Sequence, residues 1–137
     1  LVKLLAKALQ DTNVNYVTAC SDFKNFNEYL NPNNVKVLYD KNEFATTFYR
    51  EPLVNKENDW NQKKQFHHIG IYGYTKKLLN NFCSLPVSKL ENSLKLEQLR
   101  ALENNILLAV LKYEGKIYRG IDTPEDLALI RKYLENE

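Results

Sequence analysis

The chain has 137 residues, 44% of them hydrophobic and 26% charged, with a net charge of +2; this is the make-up of one globular domain large enough to bury a real core. No long basic run points to nucleic acid, and the longest apolar run, Ile106 to Leu111, is far too short to cross a membrane. The two cysteines, Cys20 and Cys83, lie far apart without metal-ligand spacing and read as free thiols of a reducing, cytoplasmic compartment.

Leu1, Leu4, Leu5, Ala8 and Leu9 recur at helical spacing, which predicts a helix over Leu1 to Asp11. Val14 to Ala19 reads as a strand with Val14, Tyr16 and Thr18 on one side. Ser21 to Asn34 is polar with scattered aromatics, a loop with a short helical turn, ending in the turn cluster Asn31-Pro32-Asn33-Asn34. Val35 to Tyr39 and Phe44 to Tyr49 are β-branched and aromatic, and Asp40-Lys41-Asn42-Glu43 between them suits a hairpin connection. Glu51 to Gln65 is crowded with Asn and Lys and has no period, so it reads as the flexible loop.

Phe66 to Tyr74 is the next strand, followed by a short helix from Thr75 through Phe82 that Pro86 closes. Ser88-x-x-Glu91 is a capping-box pattern opening a helical region to about Asn104. Ile106 to Lys112 reads as a buried strand and Lys116 to Gly120 as a short one. Thr123-Pro124-Glu125-Asp126 starts the last helix, with Pro at its first position. Strands and helices mix without a repeat, and some strands lie in hairpins, so the pattern predicts a mixed α/β sheet with flanking helices in one domain.

Side chains alternate faces along a strand, so His68, Gly70, Tyr72 and Tyr74 share one face, and His67 points the other way. An imidazole and two phenols beside the gap at Gly70 make a plausible floor for a hydroxyl-rich ligand. The plainer alternative is an exposed polar strand face whose tyrosines pack on neighbours. Leu96, Leu99, Leu102 and Ile106 form an apolar stripe, leaving Glu97, Gln98 and Arg100 off it; Glu97 and Arg100 suit an i,i+3 ion pair. Asp122 stands at a strand end before a helix and suits an N-cap. Cys83, near Pro86, reads as structural. The glycines Gly70, Gly73, Gly115 and Gly120 spell neither G-x-G-x-x-G nor G-x-x-x-x-G-K-[ST].

The segments His68-Ile69-Gly70-Ile71-Tyr72-Gly73-Tyr74, Leu96-Glu97-Gln98-Leu99-Arg100 and Gly120-Ile121-Asp122-Thr123-Pro124-Glu125-Asp126-Leu127, with Asn31-Pro32-Asn33 and Val35-Lys36-Val37 before them, resemble the C-terminal part of the 3-deoxy-manno-octulosonate cytidylyltransferases, or CMP-Kdo synthetases. The resemblance implies a nucleotide-diphospho-sugar-transferase-like (Rossmann-like) fold. It implies an enzyme that joins Kdo to CMP from CTP, releasing pyrophosphate, for lipopolysaccharide synthesis, with Mg²⁺ required and the protein a homodimer. On it, His68, Tyr72, Glu97 and Gln98 contact the sugar acid and Asp122 ligates Mg²⁺.

Arg50 matches a family arginine near the sugar acid, although the family reads Ser-Arg and then Ile-Pro where this chain has Tyr49-Arg50-Glu51-Pro52-Leu53. The family's Gly/Arg/Lys-containing nucleotide loop and its second metal carboxylate have no counterpart here. With no methionine and an opening at Leu1 in a helical pattern, the chain reads as a fragment that does not turn over alone. Two alternatives stand beside this: a cytidylyltransferase for another sugar acid such as sialic acid, and a non-catalytic oligomerisation or sugar-binding module. Self-association is expected from the hairpin aromatics Tyr39, Phe44, Phe48 and Tyr49, more than a small sheet easily buries. The last expectation is that His68, Tyr72, Glu97 and Gln98 converge on one polar pocket with Asp122 at its edge.

Overall fold

Helix α1 (Val2–Ala8) is amphipathic as its leucine spacing requires, and Leu5 is its buried residue. The structure, a computed structural model, describes residues 1–117 and 124–135. Strand β1 (Tyr16–Ser21) is buried along its whole length. It begins two residues later than its sequence pattern suggests, because Val14 N–H donates to Asp11 O at 3.0 Å and is spent in the turn after α1. The polar stretch that follows contains α2 (Phe26–Leu30), capped by Asn25, whose side chain accepts from Glu28 N–H.

Strands β2 (Lys36–Tyr39) and β3 (Ala45–Tyr49) pair antiparallel as the expected hairpin. Asp40 Oδ1 holds the turn by accepting from the N–H groups of Asn42 and Phe44 at 2.9 and 3.0 Å. Strand β4 (Phe66–Tyr74) follows, then α3 (Lys76–Ser84), capped by Thr75 and ended before Pro86.

The helical region after Ser88 is two helices rather than one. The capping box forms as its residues predict, with Ser88 and Glu91 bonded reciprocally, and starts α4 (Lys89–Leu94). Lys95 then turns left-handed at φ 54° and ends it. Helix α5 (Gln98–Glu103) restarts after Leu96. The reason for the break is burial: Leu96, Leu99 and Ala101 all enter the core, and the turn at Lys95 re-aims the chain so that they can. Strand β5 (Ala109–Lys112) is shorter than the apolar run that announces it. Lys116 and Ile117 form no strand, and 118–120 lie outside the described residues. The last helix, α6, spans Pro124–Leu134.

The sheet order is β3-β2-β4-β1-β5. All pairs are antiparallel except β1 with β5, which is parallel. The two edge strands also meet at one corner. Ala45 N–H donates to Leu108 O and Val110 N–H to Glu43 O, each at 2.8 Å, so the hairpin tip caps the edge of β5. Helices α3 and α5 cover one face over Tyr16, Cys20, Val37, Phe48 and Phe66, and α4 packs on α5. Helix α1 covers the other over Val17, Ala19 and Ala109. It approaches so closely that a Cβ on Gly73 would lie 2.8 Å from Val17 and 3.0 Å from Leu9.

Two expectations are corrected by this packing. The segment 51–65 is not a free loop. It carries a 3₁₀ turn over Glu57–Asp59 and inserts Trp60 against Tyr29, with stacked rings 5.3 Å apart. Gln62 donates to Phe23 O at 2.8 Å, and Tyr29 Oη accepts from Leu53 N–H at 2.9 Å. A lone Trp in a polar stretch has no period, and its partners lie some thirty residues back. The hairpin aromatics, for their part, make no exposed patch: Phe48 is buried, Tyr39 stacks on Phe66 at 4.9 Å, and Phe44 and Tyr49 are half-buried. The corner contact and the 51–65 segment cover what an isolated hairpin would expose.

Candidate functional site

Strand β4 places His68 and Tyr72 on the face beneath α3 to α5, with ring centroids 5.5 Å apart. His67 points to the opposite face, stacking on Phe23 at 5.3 Å, as strand alternation requires. The turn at Lys95 brings α5 across that same face, so Glu97 and Gln98 arrive on the side of the sheet that holds His68. A cavity of about 430 Å³ lies between, lined by Tyr72, Val87, Glu91, Asn92, Lys95, Glu97 and Gln98. Three of the four residues expected to converge therefore do so. His68 stands behind the cavity wall in contact with Tyr72, 7% exposed, and bonds Thr18 Oγ1 through Nε2 at 2.9 Å.

The cavity's polar groups are not equally available. Glu91 is bound twice over, to the Ser88 backbone in the capping box and to Arg100 in a two-point ion pair. Arg100 beside it holds the Glu91 carboxyl below the usual carboxylate range, and lies over the Phe82 ring at 4.8 Å. The expected Glu97–Arg100 pair does not form, because a bidentate carboxylate on α4 outcompetes a neighbour one turn away on α5. Lys95 donates to Asn92 Oδ1 at 3.2 Å.

Glu97, the Tyr72 hydroxyl and the Gln98 amide make no side-chain hydrogen bond among the described residues. Gln98 is 2% exposed. Its amide is not among the fully buried atoms left without a partner; it meets the cavity it lines, where a ligand or a water can bond it. Burial, with Glu97 second, pushes the Tyr72 phenol well above its ordinary pKa, so it stays a hydroxyl donor. Burial likewise lowers His68 to about 3, helped by His67; the imidazole is neutral at physiological pH.

Arg50 does not line the cavity. Its guanidinium donates to Leu94 O and Lys95 O, at 3.3 and 3.5 Å, on the carbonyl end of α4, where a cation complements the helix dipole. It braces the turn that carries Glu97 and Gln98. Its own carbonyl is gripped by the wholly buried Lys36, whose Nζ donates to Arg50 O at 2.6 Å and Asn31 O at 2.8 Å. Burial brings Lys36 down to about 8. Sequence reading missed Lys36 and Thr18 because nothing local distinguishes them from ordinary strand residues. Asp122 lies outside the described residues. Cys20 and Cys83 are free, as expected, but Cys83 is exposed and not part of the core.

The model of the cytidylyltransferase family matches residues 1–114. A 3-deoxy-manno-octulosonate cytidylyltransferase of Thermodesulfovibrio yellowstonii is 38% identical over 139 residues, covering 98% of this chain and 54% of the relative. One of Elusimicrobium minutum is 40% identical over 139 residues, covering 99% and 55%. A solved structure of CMP:2-keto-3-deoxy-manno-octonic acid synthetase complexed with CTP superposes with a TM-score of 0.86 at 27% identity, over 98% of this chain and 55% of that one. The chain spans about half the length of the curated relatives it matches. Among the described residues no helix is long and apolar enough to cross a membrane.

Proposed function

The chain belongs to the cytidylyltransferase family, and from that premise we propose that it supplies the sugar-acid-binding half of an enzyme that transfers CMP from CTP to Kdo, releasing pyrophosphate, in lipopolysaccharide synthesis. The observation that carries this reading is that the Gln98 amide, the Tyr72 hydroxyl and the Glu97 carboxylate line one cavity and make no side-chain hydrogen bond to other described residues. An amide that donates and accepts, a phenol held protonated and a carboxylate that only accepts match a ring of sugar hydroxyls. Glu97 repels an anion, so the hydroxyl edge of the sugar acid faces Glu97 and its carboxylate lies toward Lys95. The reaction then depends on holding the sugar hydroxyl in line with the CTP α-phosphate, which is catalysis by positioning.

Among the described residues no group of three or more His, Cys, Asp or Glu side chains could hold a metal ion. Mg²⁺, with Asp122 as a ligand, belongs to the proposal through the resemblance alone. The sugar contacts proposed within the cavity lining are made by the side chains of Tyr72, Lys95, Glu97 and Gln98.

Titrating the chain with Kdo, and following the Gln98 side-chain amide and Tyr72 ring by NMR, tests the proposal. Gln98→Ala and Glu97→Ala are each expected to weaken binding by about tenfold, the loss of one or two hydrogen bonds. No response at millimolar Kdo, or a response to CTP alone at these residues, would remove it. A homodimer belongs to the same proposal and rests on the resemblance, since the hairpin aromatics are taken up in the fold. A dimer is expected by sedimentation at micromolar concentration; a monomer counts against it.

A further inference from the structure

Thr18 is wholly buried in β1, at the one break in register between β1 and β4. Thr18 faces Tyr72, and the next residue, Ala19, faces Ile69. Gly70 and Ile71 therefore bulge from β4, and a bulge of this kind re-aims neighbouring side chains. The Thr18 hydroxyl fills the gap. Its Oγ1 lies 2.8 Å from Ile71 O, 3.3 Å from Ile69 O and 2.9 Å from His68 Nε2.

One hydrogen must serve these contacts. A threonine hydroxyl donates once and can also accept. If it donated to His68, Ile71 O would face its lone pairs at 2.8 Å with no hydrogen between, an uncompensated contact in a buried place. The hydrogen therefore goes to Ile71 O, and the hydroxyl accepts from His68, whose proton must sit on Nε2. Nδ1 keeps its lone pair, and no group among the described residues donates to it. Gly70, in the bulge, is exposed, and a Cβ there would meet nothing within 4 Å. Burial, which lowers His68 to about 3, keeps the ring neutral and the tautomer meaningful.

We propose that Thr18 is a positioning residue that locks His68 as the Nε2–H tautomer, so that Nδ1 is an acceptor that takes a ligand hydroxyl hydrogen and rejects an anionic oxygen. The choice of ring nitrogen is set by the bond the other one makes, and here that bond is internal to the sheet. The tautomer stands on the geometry of β1 and β4 alone. The ligand half rests on the sugar-acid reading above, and orients the sugar acid with a hydroxyl, not its carboxylate, toward His68.

Two-bond ¹H–¹⁵N correlation spectra of the ¹⁵N-labelled chain report the tautomer directly, with His67→Gln assigning the two rings. In the wild type, His68 is expected to show a protonated Nε2 and a bare Nδ1, without titrating between about pH 8 and pH 5. Thr18→Val removes the hydroxyl at nearly constant volume and is expected to shift the ring to mixed or Nδ1–H character. Thr18→Ser is expected to restore the wild-type pattern. Added Kdo should move the Nδ1 resonance and leave Nε2 in place. A wild-type ring protonated on Nδ1 overturns the positioning role, even if Thr18→Val fails to fold. So does a folded Thr18→Val protein that keeps a pure Nε2–H ring. If the tautomer is as expected but Kdo leaves Nδ1 unmoved, the positioning role stands and the ligand assignment falls.

Discussion

Tyr16→Ala is expected to cost about 3–5 kcal/mol of folding stability, the range for deleting a large buried ring from a well-packed core. Tyr16 is wholly buried. Its ring stacks on Tyr74 at 4.4 Å and meets Tyr72 at 5.8 Å and Phe82 at 5.9 Å. Its hydroxyl shares a 3.0 Å hydrogen bond with that of Tyr74. The substitution opens a cavity among the three remaining rings, of Tyr72, Tyr74 and Phe82, and leaves the Tyr74 phenol without its hydrogen bond to Tyr16. Tyr16→Phe keeps the ring and is expected to lose about 0.5–1.5 kcal/mol, the worth of one hydrogen bond. Urea denaturation with unchanged slope measures both. A Tyr16→Ala loss below about 2 kcal/mol would show that the cluster collapses to fill the space, contrary to rigid packing of the four rings. Tyr72 loses its backing in the same variant, so Kdo binding should fall with stability.

Acid should destabilise the protein through His68 before most carboxylates titrate. Burial, then His67, lowers its pKa from 6.5 in the unfolded chain to about 3 in the fold. The unfolded state thus binds the proton first, and stability is lost as pH falls from 6.5 toward 3; above 6.5 the contribution is complete. A shift of this size corresponds to at most about 5 kcal/mol over that window, comparable to the whole stability of a small domain. His67, also lowered by burial, adds a slope of the same sign. The test is therefore the difference between wild type and His68→Gln, with stability measured by denaturant at several pH values. The variant should show a flatter decline below 6.5 whatever its stability at neutral pH. Equal slopes in the two proteins would mean that His68 takes up its proton at the same pH in the folded and unfolded chain, and its burial would then contribute nothing to the acid sensitivity.

The elements with strong local signals were legible in the chain. The Ser88-x-x-Glu91 capping box, the Asp40 turn and the stop before Pro86 all act through neighbours a few residues away, and each forms as written; the alternation along Phe66 to Tyr74 holds for His67, His68 and Tyr72 but is interrupted by the bulge at Gly70 and Ile71. That alternation by itself put His68 and Tyr72 on one face and His67 on the other. The identity of the side chains at Glu97 and Gln98 likewise announced a polar surface, and the matching motifs pointed to the family.

What only the tertiary structure decided was everything set by partners distant in sequence. Leu96 had to reach the core, and so the helix breaks at Lys95 and swings Glu97 and Gln98 over β4. Arg100 chose Glu91 over Glu97, which leaves Glu97 open to the cavity. Trp60 found Tyr29 and turned a polar stretch into packed structure. A two-residue bulge opposite Thr18 set its hydroxyl against Nε2 of His68. Side-chain type and strand period settle which face a group is on, because both are local. Which groups on that face remain unpaired depends on competition among all the donors and acceptors that folding brings within about 3 Å, and that competition has no trace in the order of the residues.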